Sequence, residues 1–323
     1  MKRAVITGIY GQDGSFLSEY LTQKGYEVYG ISRKELSEQA LKNRDELLKA
    51  GIQPKVEAVN LYDYEEIGKY FHDVNPNEIY HLATYHVSAE GRGNGESVRE
   101  QELFNKNILA TANILECCHR YYPACKVLTA GSCLMYDDSD TNMQDENTPY
   151  RSRSLYGLAK ISENSLVQYY RRLGLFVCTA ILYNHESHRR PESFVTKKIV
   201  ENLVRVQKKE IEHFTLGNLN VEKDWGYAGD YVAGMYLMLQ NSQPKDYILS
   251  SGELHTIREF VMECAKQLML PQWEKHIYID DSIITRDFSV RLQGNCTLAV
   301  KELGWEKTKN FKELITEMIQ NNG

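Results

Sequence analysis

No run of this 323-residue chain is apolar for long enough to form a signal peptide or a bilayer-spanning helix, and Met1-Lys2-Arg3 leads straight into a short strand-like segment. A soluble, cytoplasmic protein is the expectation. Basic charge is not in excess: 38 Lys and Arg against 44 Asp and Glu leave a net charge of -6. The chain therefore offers no broad electrostatic footprint for nucleic acid or an anionic membrane, and small-molecule partners are expected. Cys117, Cys118, Cys125, Cys133, Cys178, Cys264 and Cys296 form no C-x-x-C spacing, and their odd number leaves one unpaired in any disulfide scheme. They read as reduced thiols. His185 and His188 have no set of acids or cysteines at zinc-site spacing around them, so no metal site is expected. With 42% hydrophobic and 25% charged residues, the chain has the composition and length of one large α/β unit or two unequal lobes.

What is present is an alternation of strand and helix patterns. Arg3-Ala4-Val5-Ile6-Thr7 reads as a buried strand, and the turn from Gly8 through Tyr10, Gly11, Gln12 and Asp13 to Gly14 leads into a helical pattern carrying Phe16, Leu17, Tyr20 and Leu21. A G-x-x-G-x-x-G turn at that point lets the backbone approach a pyrophosphate, whose charge then sits at a helix N-terminus. The second strand, Glu27–Ile31, is followed by Ser32-Arg33-Lys34, with no acid where an adenosine ribose would lie. A carboxylate there would favour NAD, whereas Arg33 and Lys34 suit a 2′-phosphate, so NADP(H) is the expected cofactor. A solvated basic turn opening a helix from Glu35 to Lys49 is the plainer alternative. Strands at Val56–Val59, Glu78–Ala83, Lys126–Thr129 and Phe176–Leu182 continue the pattern, with helices at about Glu65–His72, Val98–Tyr121 and Leu155–Arg172. Asn60, Leu61, Leu82 and Ala83, just beyond or at strand ends, are expected to line the cofactor. The fold expected is an α/β doubly wound parallel sheet of the Rossmann type with a smaller mixed α/β substrate-binding lobe. Residues 1–183 would form the first unit and 184–323 the second, with the chain returning to the first around 215–245. Gly91, Gly93 and Gly95 read as a flap or a plain surface loop.

The chemistry is expected at Tyr156-Gly157-Leu158-Ala159-Lys160, with Ser132 upstream at a strand end. Residues four apart on a helix share a face, so Tyr156 and Lys160 can point into one cleft. A fixed ammonium favours a neighbouring phenolate, and the expectation is a Tyr156 pKa lowered towards neutrality, with Ser132 hydrogen-bonding the same substrate oxygen. Taken alone, this spacing also describes an ordinary exposed helical face.

Three groups of segments carry a resemblance. They are Thr7–Ser15, then Leu182-Tyr183-Asn184-His185-Glu186-Ser187 with Arg189-Arg190, and then Phe194–Ile199, Leu216–Leu219, Asp224-Trp225-Gly226 and Asp230-Tyr231-Val232. Together they resemble the extended short-chain dehydrogenase/reductases that modify nucleotide sugars, and among those the GDP-mannose 4,6-dehydratases, over nearly the whole chain. The resemblance implies hydride transfer from sugar C4 to NADP, with Tyr156 as base, Lys160 as its electrostatic and ribose partner, and Ser132 orienting the hydroxyl. It implies a GDP site around Asn184, Val195, Lys198 and Lys223, the last replacing an arginine and so losing a bidentate phosphate fork. Arg286 stands one position away from the family's arginine, and Phe288 stands where an acid is expected. The resemblance also implies a homodimer through the helices Val98–Tyr121 and Leu155–Arg172.

One departure matters most. Two residues after the hydroxyl residue the family carries a glutamate that removes the C5 proton, and here that position is Leu134. Losing a general base costs ~10²–10⁴ in rate. Tyr85 replaces a small serine in the same sugar pocket, which His86, Ser88, Glu90 and Cys133 are expected to complete. An oxidoreductase or epimerase acting at C4 of a GDP-linked hexose or heptose is the favoured reading. A 4,6-dehydratase with Glu90, His86 or Cys133 as a relocated base is the alternative, and a silent NADP-binding protein the third.

Overall fold

The structure, a computed structural model, describes residues 1–85, 96–283 and 291–321. Its strands are β1 (Arg3–Thr7), β2 (Glu27–Ser32), β3 (Lys55–Ala58), β4 (Glu78–His81), β5 (Lys126–Ala130), β6 (Met143–Gln144), β7 (Val177–Leu182), β8 (Asn184–Glu186), β9 (Phe214–Leu216), β10 (Glu222–Tyr227), β11 (Tyr247–Leu249), β12 (Leu254–Thr256), β13 (Ile277–Ile279) and β14 (Gln293–Gly294). The helices are α1 (Gln12–Gln23), α2 (Glu38–Lys49), α3 (Tyr64–Val74), α4 (Glu96–Tyr121), α5 (Leu155–Arg172), α6 (Val195–Gln207), α7 (Ala228–Gln240), α8 (Ile257–Gln267), α9 (Thr297–Leu303) and α10 (Phe311–Gln320).

Seven strands form one parallel sheet in the order β3-β2-β1-β4-β5-β7-β11. Every residue of β4 and of β7 is buried, as expected for central strands covered by helices on both faces. The winding reverses between β1 and β4. That switch opens a crevice at the carboxyl ends of the strands, where sheets of this type take their ligands. This is a Rossmann-like sheet.

Local signals set several helix limits. Ser37 caps α2 by accepting from Ala40 N, so the helix starts at Glu38 and not at Glu35. Asp63 caps α3, and Ser154 accepts from Gly157 N to start α5 at Leu155. The chain leaves the large sheet after β7, contributes β8, β9 and β10 to small sheets, then returns. Helix α7 shares a core with α1, where Tyr231, Val232 and Met235 meet Phe16, Leu17 and Leu21. The returning strand β11 lies just beyond the stretch 215–245 and pairs with β7. Trp305, after α9, donates its indole N–H to Asp230 O at 2.7 Å and closes this core.

The smaller core gathers α6, α8 and α10 around Trp225, Phe260 and Leu314, beside the three-stranded sheet β12-β10-β8. A charged joint links the two cores. His188 contacts Glu317 of α10 and lies 3.1 Å from Glu46 of α2, while Arg189 bonds Glu46 at 2.7 Å and also pairs with Glu19 of α1. Among the described residues no helix is long and apolar enough to cross a membrane.

Candidate active site

The glycine-rich turn is built by close approach. Gly8 has φ +71°, a conformation that L side chains rarely adopt, and its N–H donates to Ile31 O at 2.9 Å. A side chain on Gly14 would lie 2.4 Å from Gly8 O, so only glycine lets α1 sit this close to the end of β1. Gly11 is the N-cap of α1 and supplies no side chain, which leaves the first-turn N–H groups facing the crevice. This cradle suits a pyrophosphate. Tyr10 O accepts from the buried Asn43 at 3.0 Å, tying the turn to α2. The side chains of Gln12 and Asp13 point elsewhere: Gln12 donates to His185 O at 3.0 Å and accepts from Ser187 at 2.9 Å, while Asp13 pairs with His185 at 2.9 Å.

Around the crevice, Arg33 and Lys34 are exposed just past β2, and Arg33 is near enough for its charge to act on the Tyr62 phenol. Asn60 accepts from Tyr62 N at 3.1 Å, and Leu61 O accepts from Asn113 at 3.2 Å. Leu82 and Ala83 follow β4, with Ala83 3.1 Å from where a Gly8 side chain would stand and its N–H donating to Thr7 Oγ1 at 3.0 Å. Thr7 Oγ1 also meets His81 Nδ1 at 2.8 Å. Burial, with help from the Lys160 charge, lowers His81 to about 3, so that ring is neutral.

Tyr156 and Lys160 lie together on α5, with Lys160 Nζ 5.8 Å from the centre of the Tyr156 ring. Lys160 is 3% exposed and donates to Thr84 Oγ1 at 3.1 Å and to Glu163 Oε2 at 3.2 Å. The expectation of a lowered Tyr156 pKa does not hold here. Loss of water raises the phenol above its ordinary value, Lys160 opposes this without overcoming it, and Glu163 adds to the rise. Ser132 lies two residues past β5 and accepts from Leu134 N at 3.2 Å, capping the tight turn Cys133–Tyr136. The same turn lays Leu134 O 2.3 Å from where a side chain on Gly157 would stand. The backbone of this turn therefore lies against the residue next to Tyr156, and Leu134 itself is partly buried beside Cys133, Tyr136 and Tyr183. Cys133 is buried, and burial pushes its thiol up to about 11 despite the nearby Lys223 charge.

On the substrate side, Tyr85 is clamped by Asn107 of α4, which accepts from its N–H at 2.8 Å and donates to its carbonyl at 3.0 Å. Asn184 opens β8 opposite Trp225, Val195 opens α6, and Lys198 follows one turn on. Lys223 lies in β10 opposite His255. His86, Ser88, Glu90 and Arg286 lie outside the described residues, as do Phe288 and the three glycines at 91, 93 and 95. His185 and His188 have acid partners, Asp13 for His185 and Glu46 and Glu317 for His188.

Sequence reasoning missed Thr84, Glu163 and Arg190. Arg190 ion-pairs with Glu186 at 3.2 Å, stacks over Phe194 at 3.7 Å, and is close enough for its charge to act on both Asp13 and Tyr156. Its signal was available, since it stands in the Arg189-Arg190 pair of the central motif. Glu163 had no comparable signal.

Residues 5–318 match the family described as GDP-mannose 4,6 dehydratase. The chain belongs to that family. It is 34% identical to the GDP-mannose 4,6 dehydratase of Cricetulus griseus over 99% of this chain and 91% of the relative. The Homo sapiens enzyme is also 34% identical, over 98% and 90% of the two chains. Among solved structures, dTDP-glucose 4,6-dehydratase of Bacillus anthracis in complex with NAD superposes with a TM-score of 0.83 at 18% identity, over 99% of this chain and 96% of that one. UDP-glucose 4-epimerase of Thermus thermophilus, also with NAD, gives 0.78 at 23% identity, over 99% and 98%. These structural likenesses carry the fold. Family membership makes the chain an enzyme of the nucleotide-sugar dehydratase/epimerase class.

Proposed function

We propose that this protein exchanges hydride between NADP(H) and C4 of a GDP-linked hexose or heptose, with C4 epimerisation as one outcome, and that it does not eliminate water across C5 and C6. The observation that carries this reading is the identity of residue 134: a leucine stands in the turn after Ser132, whose backbone lies against Gly157 of the helix that bears Tyr156. The site keeps its proton carrier and has a leucine where the family's glutamate would act. The turn at Gly8, Gly11 and Gly14 would hold the pyrophosphate of the cofactor, and Arg33 with Lys34 its 2′-phosphate. A nicotinamide held there would accept or supply the hydride. Oxidation releases the proton of the 4-hydroxyl to Tyr156, and reduction of a 4-ketone draws a proton from it, with Ser132 donating a hydrogen bond to the same oxygen. Lys160 holds positive charge beside the phenol throughout. Asn184, Val195, Lys198 and Lys223 would receive the GDP.

A second reading, dehydration by a relocated base, is favoured by the names of the relatives. Cys133 is a poor candidate for that base, because its buried thiol stays protonated near neutral pH. Glu90 and His86 remain as its candidates. Incubation of the purified protein with GDP-mannose and related GDP-sugars, followed by mass spectrometry, separates the readings. Products that differ by two hydrogens or by no mass are expected. Efficient formation of a product lighter by one water, lost in Glu90→Gln or His86→Ala, would overturn the proposal.

The assembly we propose is a homodimer through α4 and α5. These helices pack together through Thr111 with Glu163 and Tyr170 with Glu116, yet leave Leu109, Tyr121, Leu155, Leu158 and Tyr169 exposed.

A further inference from the structure

The lysine beside Tyr156 is not alone. One turn further along α5, Glu163 is 4% exposed, and both of its carboxylate oxygens lie 3.2 Å from Lys160 Nζ. Thr111 of α4 donates to the same carboxylate at 3.0 Å, and Thr84, just past β4, accepts from the ammonium at 3.1 Å. A buried carboxylate with no cation would bear a large desolvation penalty, and so would a buried ammonium with no anion. Each therefore fixes the other. The charge that Tyr156 faces is that of an ion pair and not of a bare lysine.

We propose that Glu163 is a positioning residue for the tyrosine–lysine pair: it anchors Lys160 from the side remote from the sugar and limits how much positive charge reaches the Tyr156 hydroxyl. The proposal rests on the reading of Tyr156 as proton carrier given above. Its chemical consequence is a phenol kept in its acid form, ready to protonate a 4-ketone, until a further positive charge or the substrate itself draws the proton off. The direction of the Tyr156 shift agrees, since Glu163 raises what Lys160 lowers. The other groups facing this pair do not supply a compensating charge of the same kind. From β4, His81 is neutral. From the turn after β5, Cys133 is protonated near neutral pH. Arg190, in the segment after β8, adds positive charge at longer range than Lys160 and ranks below it in effect. Helix α4 presents the Thr111 hydroxyl here.

The test is a titration of Tyr156 that needs no substrate. Protein labelled with 13C at the tyrosine ζ carbon is titrated by NMR with its nicotinamide cofactor bound, and the Tyr156 resonance is assigned by its disappearance in Tyr156→Phe. In Glu163→Gln the unpaired ammonium recruits the phenolate as its counter-ion, so the Tyr156 midpoint is expected to fall by about one pH unit or more, a change of about 1.4 kcal/mol per unit. Should Glu163→Gln fail to fold, Glu163→Asp draws the carboxylate back while keeping its charge, and a smaller fall is expected. A midpoint that stands still in whichever variant folds overturns the proposal, even if the melting temperature drops, because lost packing alone would do that. Failure of the C4 reading is seen separately, as an absence of hydride exchange with any GDP-sugar while the Tyr156 titration proceeds as described.

Discussion

At the scale of single residues the question is which charges meet which ligand atoms. Arg33 stands exposed at the end of β2, where a charged fork would find a 2′-phosphate. A hydrogen bond to a charged group contributes ~1.5–3 kcal/mol, so Arg33→Ala is expected to weaken NADPH binding about tenfold or more and to leave NADH binding nearly unchanged. Fluorescence titration with both cofactors decides it, and equal affinities in the parent protein would remove the case for NADP. The pairing of Tyr156 with Lys160 was legible because i and i+4 on a helix share a face whatever surrounds them. Their acid–base balance was not. It depends on Glu163, whose burial is imposed by Thr111 from a helix more than fifty residues earlier in the chain, and nothing in local spacing announces such a contact.

Elements were legible to the extent that their signals are local. The strand and helix alternation, the glycine turn and the start of α5 at a serine cap all follow from short-range chemistry. The start of α2 was misplaced by three residues because Glu35 suits a helix, whereas Ser37 is the residue whose oxygen meets the first-turn N–H. The small sheets were harder to see. Strand β8 has three residues and β14 two, too short for a period of two to register, and each forms only against a partner brought by the fold. The junction of β1 with α1 gives the sharpest element-scale expectation. Gly14→Ala places a methyl 2.4 Å from a backbone oxygen that has no rotamer to change. Overpacking of this kind costs ~1–3 kcal/mol. A lower urea midpoint together with loss of cofactor binding is expected, and unaltered binding would show that the turn is not the pyrophosphate cradle.

For the whole molecule, the joint around His188 ties α10 of the smaller core to α2 of the larger. Burial alone would lower His188, but Glu317 and Glu46 outweigh it and raise the ring to about 9. A group raised from 6.5 stabilises the fold in full below its unfolded value, and that contribution is lost as pH rises through about 9. Glu46 has the opposite sign. Burial works against it, yet His188 and Arg189 bring it down to about 2, so its contribution is present above its unfolded value of 4.5 and lost as pH falls through about 2. Thermal melts from pH 6 to pH 10 should show the parent losing stability through the upper part of this range, with the loss much reduced in His188→Gln. Parallel curves would mean that the ring carries no charge in the fold. Light scattering addresses the assembly: a dimer at micromolar concentration is expected, converted to monomer by Leu158→Glu, and a monomeric parent would remove the α4–α5 interface from consideration.

The amide of Gln12 has a consequence for how the two parts of the molecule are keyed. Its nitrogen donates to His185 O and its oxygen accepts from Ser187. Turned end for end, the amide would set oxygen against carbonyl oxygen, so it fits in one sense only. A lock that accepts one orientation transmits torque as well as position. The first turn of α1 and the stretch from His185 to Ser187 are thereby held in one orientation relative to each other, and Gln12→Ala would release both ends of that tie at once.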